Sequence, residues 1–223
     1  MLDASTAYRT AGDWVYGFAE LDAAQPQKIA AAERVSNPGC YATGAIALLR
    51  PLVTSGMIPA DFPLSINAIS GYTGGGKTMI AEFKSGTAPA FELYALGLQH
   101  KHIPEIMVHS GLSTRPIFVP SVGNFAQGML VSIPLHLDSL PGKPEAGELE
   151  AALMAHYSSQ AFVLVLPAAD FNGRIEPQAL NHTDTMQLCV FSHGRQAVLV
   201  ARLDNLGKGA SGAAVQNMEL MLA

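Results

Sequence analysis

The sequence predicts an α+β fold in which helices cover one face of a mixed, mostly antiparallel sheet. Beyond residue 95 the chain is rich in short β-branched segments bounded by Gly, Pro, Asn or Asp, which is typical of strands. Helical patterns separate only some of these segments, so several strands follow one another directly. Apolar residues at every second position of 128–137 indicate a strand with one buried face.

Apolar spacing and Gly or Pro boundaries predict the helices. The first predicted helix covers 26–35 and ends before an Asn-Pro-Gly break. After Tyr41, apolar residues recur at three- and four-residue spacing, which predicts a helix with one buried face. Further helices are predicted over 143–158 and 208–222, and Pro104 is expected to start a short one.

Short apolar runs between turn residues predict the strands. They are expected at 62–70, 96–102, 115–122, 128–137, 162–167, 185–194 and 196–203. Because hairpin-like runs dominate, most neighbouring strands are expected to be antiparallel.

Composition excludes several classes of protein. The 223 residues carry a net charge of −5 without a run of Lys or Arg, which argues against nucleic acid or an anionic membrane as the partner. No apolar run is long enough for a secretory signal or a membrane span. Two cysteines do not make a disulfide framework, so a reducing cytoplasm is the expected location.

Cys40 lies between a Pro-Gly turn and the helix that begins near Tyr41. Free backbone N–H groups at a helix N-terminus favour the thiolate, so the pattern predicts a lowered thiol pKa and a nucleophile. Asn37 is a candidate hydrogen-bond donor to an oxyanion formed beside the sulfur. The alternative is a buried packing thiol, which is the expected role of Cys189 in its apolar strand.

A reactive thiol needs a proton carrier, and His100 and His102 form the densest histidine site. In an extended segment the two side chains would lie on one side of the chain. A general acid/base, a pair of solvated histidines and a zinc site remain open. Zinc would need further ligands such as His109 and Cys40, and no zinc-site spacing is present, so no metal is predicted.

The segment SGYTGGGK (70–77) formally matches the phosphate-loop pattern through Gly71, Gly76, Lys77 and Thr78. No nucleotide-binding domain surrounds it. We therefore expect a glycine-rich turn that presents N–H groups and Lys77 to a small anion, or simply a turn that ends a strand.

Several segments together resemble the N-acetyl-gamma-glutamyl-phosphate reductase family in its short form. They are LDASTAYR, WVYGFAEL, SNPGCYAT, SGYTGGGK, HKHIPEI, PSVGNFAQGMLVSIPL and LDNLGKGASGAAVQNMEL, in chain order. The family fold implies a Rossmann domain for NADP, followed by a catalytic domain like that of glyceraldehyde-3-phosphate dehydrogenase. The resemblance then implies the end of the Rossmann domain at 1–40, the catalytic, substrate and oligomerisation domain at 41–203, and a helix packing toward the cofactor domain at 204–223.

The resemblance also implies roles for individual residues. Cys40 matches the family nucleophile, and His102, or else His100, matches its acid/base. Substrate-side candidates are Arg9, Asn37, Ser70, Gly71, Lys77 and Glu105. Candidates near the nicotinamide are Asn205, Gly207 and Lys208.

The implied activity is NADPH-dependent reduction of N-acetyl-gamma-glutamyl phosphate to N-acetylglutamate 5-semialdehyde through a cysteine thioester, in arginine biosynthesis. The implied protein is a cytoplasmic homo-oligomer, a dimer or tetramer. Two alternatives remain: an acyl-phosphate reductase like aspartate-semialdehyde dehydrogenase, or an inactive chain that serves only subunit association. No glycine-rich strand–turn–helix unit precedes Cys40, so the 223 residues alone are expected to bind NADP weakly.

Overall fold

A seven-stranded mixed sheet is the centre of the structure, a computed structural model that describes residues 1–223. The strands of the chain are β1 (Leu2–Asp3), β2 (Val15–Tyr16), β3 (Val35–Ser36), β4 (Ser65–Gly71), β5 (Phe91–Leu93), β6 (Ile117–Gly123), β7 (Met129–His136), β8 (Val163–Val165), β9 (Met186–His193) and β10 (Gln196–Leu203). The order in the large sheet is β5-β6-β4-β7-β10-β9-β8. Within the large sheet only β4–β6 and β8–β9 are parallel, so the predicted mostly antiparallel sheet is confirmed.

Six α-helices accompany the strands. They are α1 (Gln25–Ala30), α2 (Cys40–Thr54), α3 (Gly76–Ser85), α4 (His102–Ser110), α5 (Ala146–Tyr157) and α6 (Gly212–Leu222). Helix α2 is almost entirely buried, because it packs on β7 and β10 and is flanked by α4 and α5. None of the helices has the length and apolarity that crossing a lipid bilayer requires.

The register of the central strands separates a helix-covered face from an open face. In β7 the alternate residues Met129, Val131, Ile133 and Leu135 are buried in the core beneath the helices. Ile133 pairs with Leu199 of β10, whose side chain joins the same core. Every second residue of β7 therefore faces the helices, as its alternating sequence predicted. The α+β class is confirmed.

Residues near the N-terminus form a separate small sheet. Strands β1, β3 and β2 pair in parallel, in that order, and a small cluster of Ala19, Ile29 and Val35 packs there. Helix α1 ends at Ala30, so the helix predicted over 26–35 is too long. The last residues of that range instead lead into β3 at Val35.

The strand predicted at 96–102 is wrong. Ala95 and Leu98 have φ of 52° and 56°, left-handed backbone that a strand does not tolerate. The edge strand lies earlier, at Phe91–Leu93, and His102 is already the first residue of α4. Helix α3 was not predicted, because it begins at a glycine and directly follows two others, Gly74 and Gly75.

Candidate active site

A cavity of about 500 Å³ lies where the N-termini of α2 and α4 meet two turns. One turn is the 3₁₀ turn Tyr72–Gly75, and the other is a turn of π-helix at Gly207–Ser211. The predicted site residues that line the cavity are Arg9, Asn37, Cys40, His100, His102 and Asn205. The predicted residues that do not line it are Ser70, Gly71, Lys77, Glu105, Gly207 and Lys208.

Cys40 is the first residue of α2 and is partly buried at the cavity wall. Burial raises the pKa of its thiol to about 11, with a smaller contribution from the negative charge of Glu105. The backbone N–H of Tyr41 and the cations Arg9 and Lys101 lower that pKa but do not overcome burial. The expectation of a lowered thiol pKa is therefore wrong, because desolvation outweighs the helix N-terminus.

Gly39 allows two polar side chains to reach the nucleophile's turn. A Cβ atom at this position would lie 2.4 Å from Arg9 Nη1 and 2.4 Å from His102 Nε2. Real Cβ atoms do not approach other atoms this closely, so a glycine at position 39 is needed for this packing.

His102 is buried, with 4% of its surface exposed. Burial holds its pKa well below the ordinary value, and the positive charges of Arg9 and Lys101, and of His100 when that ring is protonated, act in the same direction. The imidazole is therefore neutral at pH 7 and able to accept a proton. Its Nδ1 has no hydrogen-bond partner, and no hydrogen bond joins the ring to Cys40.

His100 supports the start of α4 rather than sharing an extended segment with His102. The backbone N–H of His102 donates to His100 Nδ1 at 3.2 Å, and the two ring centroids are 4.8 Å apart. Burial lowers the pKa of His100 to about 4, so it is also neutral at pH 7. The two rings come together as predicted, although the backbone between them is a helix start.

Glu105 lies beneath the cavity and is fully engaged. Its Oε1 accepts from the Gly39 N–H at 2.7 Å and from the Tyr16 hydroxyl at 2.8 Å. Its Oε2 faces Arg9 Nη1 at 3.3 Å in a buried ion pair. The carboxylate thus connects α4 to the turn before Cys40, and it does not line the cavity in which a substrate would bind. Nothing in the sequence pointed to Tyr16 as its third partner.

Two asparagines hold the walls of the cavity together. Asn37 donates to the carbonyl of Ala210 at 2.9 Å and accepts from Asn217 at 3.1 Å. Asn205 accepts from the Gly128 N–H at 2.9 Å and donates to Thr73 Oγ1 at 3.0 Å. Asn205 therefore fixes the glycine-rich turn against the end of the sheet.

The glycine-rich segment contributes Thr73 and Gly74 to the cavity, not the residues first singled out. Ser70 is buried and its hydroxyl donates to the carbonyl of Gly71. A Cβ on Gly71 would lie 2.5 Å from the Ala126 carbonyl oxygen, so this glycine serves backbone packing. Lys77 is exposed in the first turn of α3.

Gly207 and Lys208 also lie outside the cavity. A Cβ on Gly207 would be 2.1 Å from the Thr183 carbonyl oxygen, which explains the absence of a side chain. The ammonium of Lys208 is buried in an ion pair with Glu20 at 2.7 Å. No group of three or more His, Cys, Asp or Glu side chains is arranged to hold a metal ion.

Comparison with known proteins identifies relatives along the whole chain. The family model described as semialdehyde dehydrogenase, dimerisation domain, matches residues 40–205. A Rhizobium etli (strain CIAT 652) protein named N-acetyl-gamma-glutamyl-phosphate reductase is 55% identical, with 100% of this chain matching 75% of that protein. The protein of that name from Brucella ovis is 52% identical, with 100% of this chain matching 74% of it.

The fold is shared with more distant solved structures. Aspartate semialdehyde dehydrogenase II from Vibrio cholerae superposes with a TM-score of 0.74 at 18% identity, over 99% of this chain and 72% of that one. A Francisella tularensis aspartate semialdehyde dehydrogenase superposes with a TM-score of 0.69 at 12% identity, over 97% and 73%. At these identities the likeness establishes the fold alone.

Proposed function

Because the chain belongs to the N-acetyl-gamma-glutamyl-phosphate reductase family, we propose that it reduces N-acetyl-gamma-glutamyl phosphate to N-acetylglutamate 5-semialdehyde. In this proposal Cys40 is the nucleophile, His102 the acid/base, and the protein works in the cytoplasm in arginine biosynthesis. The observation that carries the proposal is that Cys40 and His102 line one cavity and that His102 packs against Gly39, the residue before Cys40. A covalent route suits the substrate, because an acyl phosphate transfers its acyl group readily to sulfur.

The neutral state of both groups defines the first step. As Cys40 Sγ attacks the acyl carbon, its proton passes to the neutral imidazole of His102, directly or through one water. The carbon–oxygen bond to phosphate then breaks, so that a thioester on Cys40 and free phosphate result. The cations Lys101 and Arg9 lie at the same cavity and favour the negative charges of substrate and leaving group.

NADPH is the proposed hydride donor for reduction of the thioester to the aldehyde level. The cavity residues fit its nicotinamide end, since the wall formed by Leu206, Gly209 and Ala210 carries no charged side chain. His102 donates a proton to the oxygen of the thiohemiacetal and takes it back as the carbon–sulfur bond breaks. Asn205 supports this wall through its two hydrogen bonds.

The protein is proposed to act as a homo-oligomer, a dimer or tetramer. The family description names a dimerisation domain over residues 40–205. The open face of the large sheet carries an apolar groove of about 430 Å³, lined in part by Ile69, Leu130 and Val200. A second copy of the chain is the proposed occupant.

Acylation tests the proposed function without any cofactor. The chain is mixed with N-acetyl-gamma-glutamyl phosphate, and released phosphate and the intact mass are measured. We expect one phosphate per chain and an acyl adduct that hydroxylamine removes, with neither in Cys40→Ser. Equal acylation by β-aspartyl phosphate would favour the aspartate-semialdehyde dehydrogenase alternative, and absence of acylation by both would favour an inactive chain.

A further inference from the structure

Lys208 is a charged side chain that the proposed mechanism leaves without a role. It is 1% exposed, although lysine is almost never fully buried without a partner. Its Nζ donates to Glu20 Oε1 at 2.7 Å and to Gln216 Oε1 at 2.8 Å. The Gln216 amide also donates to Glu20 Oε1, at 2.9 Å, which closes a triangle of hydrogen bonds.

The environment of the ammonium group is closed by aromatic rings. Its Nζ lies 5.7 Å from the centroid of Phe18 and 5.4 Å from that of Phe162. These distances allow cation–π attraction, and the rings keep water from the ion pair. A ligand in the cavity therefore meets neither the ammonium nor its partners.

The triangle joins three parts of the chain behind the cavity wall. Glu20 belongs to the loop between β2 and α1, Gln216 to α6, and Lys208 to the π-helical turn. That turn contributes Gly209, Ala210 and Ser211 to the cavity. A Cβ on Gly209 would lie only 2.9 Å from the Cβ of Cys40, so the turn packs directly against the nucleophile.

We infer that Lys208 is a positioning residue, which holds the π-helical turn against Cys40 through its buried ion pair with Glu20. It does so in place of the nicotinamide-side role that the sequence resemblance implies. The inference rests on the proposed function only in taking Cys40 as the nucleophile.

Substitutions that remove one or both charges distinguish a positioning role of Lys208 from a role at the nicotinamide side. Removing one partner of a buried ion pair leaves the other charge buried without an opposite charge, which destabilises the protein. Replacing both partners by neutral side chains of similar volume leaves no unpaired charge in the interior. Glu20 Oε2 already lacks a hydrogen-bond partner, so the carboxylate depends strongly on Lys208. Lys208→Met should therefore loosen the turn, and the double variant Glu20→Gln with Lys208→Met should restore it.

The readout is the pH dependence of Cys40 alkylation by iodoacetamide, measured by peptide mass spectrometry on the folded 223-residue protein. In Lys208→Met, water reaches the thiol and its apparent pKa falls by about one. The thiolate fraction at pH 8 then rises about tenfold, and alkylation becomes several-fold faster, because a more acidic thiol gives a less nucleophilic thiolate. The double variant returns to within about twofold of the unchanged protein. Lys28→Met is the matched control, because Lys28 forms an exposed ion pair with Asp22 and should leave the profile unchanged.

Glu20→Gln provides a milder variant if Lys208→Met does not fold, and its profile should shift in the same direction by less. Two results would overturn the inference. One is a folded Lys208→Met or Glu20→Gln protein whose alkylation profile matches that of the unchanged protein. The other is a double variant that stays as altered as Lys208→Met, which would mean that the ion pair with Glu20 is not what holds the turn against Cys40. Neither result depends on the identity of the acyl phosphate.

Discussion

At the scale of single residues, burial decides the protonation states of the site. The thiol of Cys40 has its pKa raised to about 11, and the pKa of His102 is held well below its usual value, both mainly by desolvation. The sequence located both residues, because a Gly-Cys step before a helix and a dense histidine pair are visible in it. The sign of the thiol shift was not predictable, since it depends on the segments that bury Cys40.

The first prediction follows from these two neutral groups. Thiol and imidazole both keep one protonation state above the pKa of His102 and below about 11. The rate of acylation by N-acetyl-gamma-glutamyl phosphate should therefore be flat between about pH 6.5 and 9. Single-turnover phosphate release across that range measures it. A clear inflection near the ordinary thiol pKa, about 8.5, would contradict the raised pKa of Cys40.

The second prediction separates the two cavity histidines. His102→Asn removes the proposed base and should slow acylation by about 100-fold or more, because proton transfer contributes factors of this size. His100→Asn should slow it less, since His100 supports the backbone of His102 through one hydrogen bond. Phosphate-release rates measure both, with the exposed His193→Asn as control. A larger loss in His100→Asn would reverse the assignment.

At the scale of elements, the predictable parts are those set by local periodicity. Helix α2 was located by its apolar spacing, and β7 by its alternation. The irregular path from Ala95 to Leu98 was not, because alanine and leucine give no local signal for the left-handed backbone that they adopt here. The π-helical turn has no signal in the sequence either, since its geometry depends on Glu20, far away in the chain.

The third prediction concerns the junction between two elements, the N-termini of α2 and α4. Gly39→Ala would place a Cβ 2.4 Å from both Arg9 Nη1 and His102 Nε2, so one of them must move. We expect a lower melting temperature, with a cost of about 1–3 kcal/mol as in other overpacked sites, and loss of acylation. Gly147→Ala in α5 is the control, because a Cβ there meets no atom within 4 Å. Full acylation in Gly39→Ala would contradict this packing.

At the scale of the whole molecule, alternation along the strands predicted that one face of the sheet would be buried. It did not predict which long-range pairs fasten the N-terminal segment to the rest. Arg9 with Glu105 and Glu20 with Lys208 join residues far apart in sequence, and both pairs are buried. Such pairs have no periodic signal, because only the assembled fold brings them together.

The last prediction tests the open face of the sheet as the surface of self-association. Val198 lies on β10, between β7 and β9, and is 37% exposed on that face. In Val198→Glu the new carboxylate would have to lose its hydration when another copy packs on the face, which costs several kcal/mol. We expect the association constant from sedimentation velocity to fall by at least about 100-fold, with an unchanged circular dichroism spectrum. Met154→Glu is the control, because Met154 is 52% exposed on α5, in the helical layer on the opposite side of the sheet. If Val198→Glu associates like the unchanged protein while Met154→Glu does not, the interface lies on the helical side.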